Sequence, residues 1–257
     1  LRAYNGFMRQ ARYPYSKTDV EQVLATYPDS AAELVALFKA RHDPQSKEKI
    51  GVRGHKQSDR IDDMLKNVQK LDHDRILRGI KTLIEKTLRT NYFQKDKPCL
   101  ALKLDSKNIS DLPLPRPNVE IFVYSARVEA THLRGGEIAR GGIRWSDRHD
   151  DFRTEVLSLM KSQMVKNTVI VPVGAKGGFI VKQPPKTGGR DAYQQEGVAC
   201  YKTFVQAMLD ITDNNVGGKQ VRPKDVVCHD AFDPYLVVAA DKGTATFCDI
   251  ANEISLK

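Results

Sequence analysis

Apolar and polar positions from the start of the chain to about residue 92 repeat with the period of a helix. Ser16 with Asp19 three residues later forms a capping-box pattern ahead of "VEQVLATY". Pro28, Asp29 and Ser30 break that run and open "AAELVALFKARHD", where Leu34, Leu37 and Phe38 keep helical spacing. After a polar, glycine-bearing stretch, Ile61, Met64, Leu65 and Val68 form another stripe. Asp72 is a candidate cap for the next, which carries Ile76, Leu77, Ile80, Leu83, Ile84 and Leu88. Such stripes predict helices packed on a core and carry no chemistry of their own.

Near Thr90 the period shortens. "CLALKLD" and "VEIFVYSARVEA" alternate as strands do, with the proline-rich "LPLPRPN" between them as an irregular connection. Further on, "DFRTEVLSLMKSQMVKN" reads as a helix, "TVIVPV" as a buried strand, "GFIVK" as a short strand and "YQQEGVACYKTFVQAMLDI" as a longer helix. "DVVCHD" and "YLVVAA" read as two more strands, and "TATFCDIANEI" as a last helix. Alternation of strands and helices predicts an α/β chain: a helical segment over 1–92, then a layered α/β domain over 93–257 with a mixed, mostly parallel sheet.

Composition narrows the class. The 257 residues, 40% of them apolar, suffice for a sizeable core, and no apolar run approaches the roughly 20 residues of a membrane span. Lacking also a secretory signal at its start, the sequence predicts a cytoplasmic setting without a membrane partner. Cys99, Cys200, Cys228 and Cys248 are widely spaced and read as reduced thiols, neither staples nor metal ligands. A net charge of +9 admits anionic partners. The sequence shows no nucleic-acid-binding motif and no aromatic stacking platform, so nucleic acid is not expected as a partner.

Candidate chemistry gathers between Arg134 and Lys182. In "PVGAKGG", Lys176 lies among Gly174, Gly177 and Gly178 after a predicted strand, but it is followed by glycine where a P-loop requires serine or threonine. What remains is a lysine on a backbone that a ligand can approach closely, or a tight turn with a solvated lysine. In "ARGGIRW", Arg140 and Arg144 flank Gly141 and Gly142 and present guanidinium forks suited to carboxylates; taken singly, each fits a surface or structural ion-pair residue better. Lys166 ends a predicted helix, where the dipole alone favours a cation. Asp241 follows a predicted strand, a usual place for a functional group in an α/β sheet and also for a helix cap.

In combination these elements resemble the substrate site of the amino-acid dehydrogenase superfamily. The longer runs "HLRGGEIARGGIRWSDRHDDFRTEV", "VKNTVIVPVGAKGGFIVK" and "DPYLVVAADKGTATFCDIAN" resemble more specifically the large bacterial NAD-specific glutamate dehydrogenases. The resemblance is clearest from Thr90 onward. It implies that 93–257 is a substrate-binding domain, that Lys176 activates the water attacking an imine, that Asp241 shuttles protons at the substrate nitrogen, and that Lys166 holds the α-carboxylate. Smaller superfamily members carry a lysine where this chain has Arg140, so the side-chain carboxylate falls to Arg140 or Arg144, with Gly141, Gly142, Gly174 and Gly177 bordering the substrate. The implied partners are L-glutamate and 2-oxoglutarate, the implied cofactor is NAD, and the implied assembly is a homo-oligomer. No G-x-G-x-x-G follows a strand, and "NNVGGKQ" reads as a polar loop. The expectation is therefore a piece of a longer enzyme without its Rossmann domain, inactive alone. The rival expectation is a non-catalytic regulatory module worked by the helical third.

Overall fold

Ser16 and Asp19 satisfy each other's backbone N–H groups, 3.1 and 2.9 Å from acceptor to donor, and set the start of a helix as the sequence implies. The computed structural model describes residues 1–46, 50–166 and 171–256. Its first third is α1 (Arg2–Gln10), α2 (Lys17–Thr26), α3 (Pro28–His42), α4 (Ile50–Leu65) and α5 (Leu71–Glu85). Pro28 occupies the first position of α3, where its missing N–H costs nothing. Asp72 is not the cap of α5: Lys70 holds that position, and Asp72 and Asp74 lie inside the first turn, where their charge favours the helix dipole.

The strands are β1 (Thr87–Thr90), β2 (Leu100–Leu104), β3 (Val119–Tyr124), β4 (Val128–Arg134), β5 (Ala139–Trp145), β6 (Val173–Val181), β7 (Asn214–Val216), β8 (Lys219–Val221) and β9 (Val237–Ala240). Between them run α6 (Phe152–Lys166) and α7 (Gly189–Leu209), and α8 (Cys248–Ser255) follows β9. Seven strands form one sheet in the order β1-β2-β3-β4-β6-β5-β9, and β7 pairs with β8 alone.

This sheet is mixed, but it is not mostly parallel as the pattern of elements suggested. The ladders from β1 through β2, β3 and β4 to β6 are all antiparallel, and β5 is parallel to both β6 and β9. Parallel neighbours need a long crossover, and only α6 and the excursion through α7 provide one. The connections among the first four strands are turns or irregular loops, so those strands return antiparallel. "VEIFVYSARVEA" is accordingly a hairpin, β3 and β4, closed where Ser125 N–H bonds Val128 O at 2.9 Å.

Alternation along each strand sends apolar side chains to both faces of the sheet, with a third, smaller cluster of Leu133, Val156, Leu157 and Met160 beneath α6. Leu102, Leu104, Phe122 and Ile180 join Phe7, Leu37, Leu77, Ile80 and Phe152 under α1 to α6, while Ala101, Ile121, Val123, Ala130, Ile143 and Phe179 join Tyr201, Phe204 and Met208 under α7. The helical third thus shares its core with one face of the sheet.

Charges are buried inside this frame. Arg153 of α6 meets Glu120 of β3 through two bonds of 2.8 and 2.6 Å, and Thr131 donates to the same carboxylate at 2.6 Å. At the other end, Arg89 and Lys103 grip Asp230, Arg89 also takes Asp213, and Lys103 and Arg134 share Asp233. "DVVCHD" is not a strand for this reason: its Asp230 is drawn into the charge cluster, and a single bond from His229 N–H to Leu88 O ties it to β1. "NNVGGKQ" is not a loop but the hairpin of β7 and β8, turned by Gly217 and Gly218 at φ of 57° and 79°, a region that favours glycine. Cys99, Cys200 and Cys228 are free thiols. Among the described residues no helix is long and apolar enough to cross a membrane.

Arg153→Met strands Glu120 without its partner and is expected to cost about 3–5 kcal/mol in denaturant unfolding. Burial would raise the proton affinity of Asp233, but bonds from Arg134 and Lys103 outweigh it and hold the carboxyl down at about 2. Its folded value thus lies below its unfolded value of about 3.9, so the stabilisation is complete above pH ~4 and is lost as pH falls toward 2. Urea midpoints recorded across that window should fall more steeply for the parent than for Asp233→Asn.

Candidate functional site

Lys176 stands in the middle of β6, not in a loop. The stretches "PVGAKGG" and "GFIVK" form one nine-residue strand, and of the expected strand "TVIVPV" residues 168–170 lie outside the described part. The glycines explain why a strand is possible here. Gly174 and Gly178 pass directly beneath α6, where an added Cβ would lie 3.1 Å from Gln163 Cγ and 2.5 Å from Val156 Cγ2. Lys176, between them, shares that face and extends along it.

Its side chain reaches over β5. Lys176 Nζ lies 2.7 Å from Asp241 Oδ2, just past the end of β9. The intervening residue is Gly142, where a Cβ would fall 2.7 Å from Ala240 O and 2.8 Å from Asp241 Cβ. Only a glycine lets β9 and Asp241 come this close to β5. Gly141 is tighter still, because a Cβ there would collide with the Ala175 carbonyl, and one at Gly177 would lie 3.0 Å from Ile143 Cγ1.

Asp241 is held from several sides. Its Oδ1 accepts the Lys242 N–H at 2.7 Å and faces Arg144 Nη2 at 3.4 Å, while its own N–H donates to Thr244 Oγ1 at 3.1 Å. Thr244 in turn donates to Ile143 O at 2.6 Å, which pins the turn after β9 to β5. Burial pushes the Asp241 carboxyl upward, but Lys176, the Lys242 N–H and Arg144 outweigh it and hold the group below the ordinary carboxylate range.

Arg144 is committed elsewhere as well. Its Nη1 donates to Glu155 Oε1 of α6 at 2.9 Å, and Glu155 Oε2 accepts from Ser146 Oγ at 2.6 Å. Arg140 and Lys166 differ: both are exposed, and neither joins an ion pair among the described residues. Gln163, one turn before Lys166, donates to Arg140 O at 3.2 Å and leaves its own buried Oε1 without a partner. Beside the cluster, Trp145, Ser146, Asp147, Glu155, Tyr193 and Lys242 line a cleft of about 240 Å³, with the Trp145 and Tyr193 rings stacked at 4.9 Å. His132, the buried imidazole behind Gly177, belongs to the opposite face; burial and then the Arg134 charge push it down to about 3, so it is neutral.

Of the residues singled out in the sequence, Lys176, Asp241, Arg144 and Gly142 meet in one cluster, while Arg140, two residues before Gly142 on β5, and Lys166, at the end of α6, are exposed and do not join it. Glu155, Ser146, Thr244 and Gln163 were missed. Glu155 in the first turn of α6 offers the sequence only a favourable dipole position, and Gln163 resembles any polar residue on a helix.

Comparison with known proteins gives the chain its relatives. A family model described as bacterial NAD-glutamate dehydrogenase, catalytic domain, matches residues 60–257, and one described as glutamate dehydrogenase, helical motif 3, matches residues 1–44. An NAD-specific glutamate dehydrogenase of Halomonas elongata is 54% identical over 260 residues, covering 99% of this chain and 16% of its own length. Proteins of the same name from Pseudomonas aeruginosa and Mycobacterium tuberculosis are 52% and 51% identical, with 99% of this chain matched and 16% and 17% of theirs. The chain spans about a sixth of the length of these curated relatives.

Gly142→Ala is expected to force β9 from β5 and lengthen the Lys176–Asp241 pair. The cost should be about 1–3 kcal/mol, as for other overpacked sites. With Lys176 withdrawn, the Asp241 carboxyl should titrate at higher pH than in the parent, as read by NMR of labelled aspartate.

Proposed function

The chain belongs to the bacterial NAD-glutamate dehydrogenase family, and from that premise we propose that it forms the amino-acid side of an enzyme that interconverts L-glutamate with 2-oxoglutarate and ammonium. The observation that carries the reading is the Lys176–Asp241 pair at 2.7 Å; Arg140 on β5 and Lys166 at the end of α6 are exposed cations without a carboxylate partner among the described residues. A lysine and an aspartate in contact can pass a proton between them and to a nitrogen placed at either. Arg140 and Lys166 are free to take two carboxylates, as a five-carbon diacid requires.

Each residue then has one task. Lys166 holds the α-carboxylate, near the end of α6 where the dipole also favours its charge. The side-chain carboxylate goes to Arg140 in preference to Arg144, because Arg144 is already engaged by Glu155 and Asp241. Asp241 takes a proton from the substrate ammonium, giving the amine from which the α-carbon can be oxidised. Lys176, once its own ammonium proton has passed to solvent, orients the water that adds to the imine carbon and takes its proton, and Asp241 returns the proton it holds to the departing nitrogen. Gly142 leaves Lys176 its path over β5 to Asp241 and borders the substrate, while Gly141, Gly174 and Gly177 let the neighbouring strands and α6 close up around Lys176. The helical segment 1–92 supports the α/β part, 93–257, from beneath α6.

NAD supplies the hydride acceptor in this reaction. The described residues do not offer it a cradle: Gly188 and Gly189 open α7 only after the loop that follows β6, and Gly217 and Gly218 turn a hairpin. Neither is the strand, tight turn and helix that a pyrophosphate needs, so no residue of this chain is assigned to NAD. We propose that the chain alone does not turn over glutamate, and that the whole protein works as a cytoplasmic homo-oligomer.

In the whole protein, Lys176→Met is expected to lower kcat by about 10²–10⁴ while thermal unfolding stays close to the parent. Arg140→Met should instead raise the KM for glutamate. Turnover untouched by Lys176→Met would leave the alternative, a regulatory module, in possession.

A further inference from the structure

Arg144 divides itself unequally between two carboxylates. It lies 2.9 Å from Glu155 Oε1 and 3.4 Å from Asp241 Oδ1. Glu155 is fixed in turn: Ser146 Oγ donates to its other oxygen at 2.6 Å, and the buried Ser146 hydroxyl accepts the Arg148 N–H at 3.1 Å. The carboxylate of Glu155 therefore has both oxygens occupied, sits on the first turn of a helix and cannot follow the guanidinium if it moves.

We propose that Glu155 is a positioning residue for Asp241: by anchoring Arg144 it keeps the guanidinium at the margin of Asp241 and leaves Oδ2 to Lys176. This rests on the roles of Lys176 and Asp241 proposed above. The charged and polar groups that reach Asp241 are Lys176 from β6, Arg144 from β5, Glu155 of α6 by way of Arg144, and the Lys242 N–H from its own turn. Two cations and two carboxylates make this cluster neutral. Without the Glu155 charge, Arg144 has Asp241 as its remaining partner and closes on Oδ1. Asp241 then bears more positive charge around it, binds its proton less tightly, and is a poorer acceptor for the proton of the substrate ammonium.

The test is the pH profile of the whole enzyme. Glu155→Gln keeps the size of the side chain and its bond to Ser146, and is expected to fold. Its acid limb in kcat/KM should move down by about one pH unit, because the carboxylate now holds its proton less tightly. Its kcat should fall about tenfold with the glutamate KM nearly unchanged. Glu155→Asp, which restores the charge at shorter reach, should recover at least half of the limb shift. An unmoved limb in Glu155→Gln, or a loss of activity that only tracks a lowered Tm, overturns the proposal. Asp241→Asn distinguishes the underlying reading: full turnover in that variant removes Asp241 from the chemistry altogether, whereas a dead Asp241→Asn with an unmoved limb in Glu155→Gln sinks the role of Glu155 alone.

Discussion

The pair of Lys176 and Asp241 exists only because three strands lie side by side in one register. Lys176 belongs to β6 and Asp241 to the end of β9, and β5 runs between them with Gly142 at the crossing. Any side chain at that position would occupy the space of Ala240 O and Asp241 Cβ. The parallel arrangement of β6, β5 and β9 is therefore tied to the site, whereas the antiparallel strands β1 to β4 serve as its platform. Parallel pairing in turn rests on the crossovers, and α6 is the crossover that brings Glu155, Gln163 and Lys166 to the same face as Lys176.

Holding β9 at that place requires more than its own ladder, because it is a short, exposed edge strand. The segment leading into it carries Asp230 and Asp233, which Arg89, Lys103 and Arg134 hold from β1, β2 and β4. Three of the chain's cations are thus used inside, with side chains at most 5% exposed. Near the site, the exposed cations without a carboxylate partner among the described residues include Arg140, Lys166 and Lys242.

What the sequence disclosed, it disclosed where the determinants are local. The capping box of α2, the proline that opens α3 and the apolar stripe of α5 from Ile76 to Ile84 depend on neighbours in the chain and appear as read, whereas Leu88, read as the end of that stripe, belongs to β1. Strand direction was not legible, because it depends on whether a connection crosses over. Nor was the strand through Lys176: three glycines around a lysine look like a turn when their packing partners, Val156 and Gln163 of α6 and Ile143 of β5, are unknown. "DVVCHD" has the apolar content of a strand, but the long-range pull of Arg89 and Lys103 on Asp230 decides its path. The site followed the same division. Its cations and Asp241 stand out within runs of glycine and apolar residues, whereas Glu155 matters only through a contact that crosses from α6 to β5.

Charge matching joins these observations. Within the cluster, Lys176 and Arg144 balance Asp241 and Glu155, so it presents no excess charge to a ligand. The surplus near it lies on exposed cations, among them Arg140, Lys166 and Lys242, and the proposed reading gives the first two to the carboxylates of a diacid. On the proposed reading, glutamate adds an ammonium, for which Asp241 is the acceptor, and 2-oxoglutarate brings none. The same two cations therefore serve both sides of the reaction, and the difference between amino acid and oxo acid is felt at Asp241 alone. An aspartate given that duty must be neither fully neutralised by cations nor free of them. The structure places one strong partner, Lys176, at 2.7 Å and one restrained partner, Arg144, at 3.4 Å; what restrains the second is Glu155.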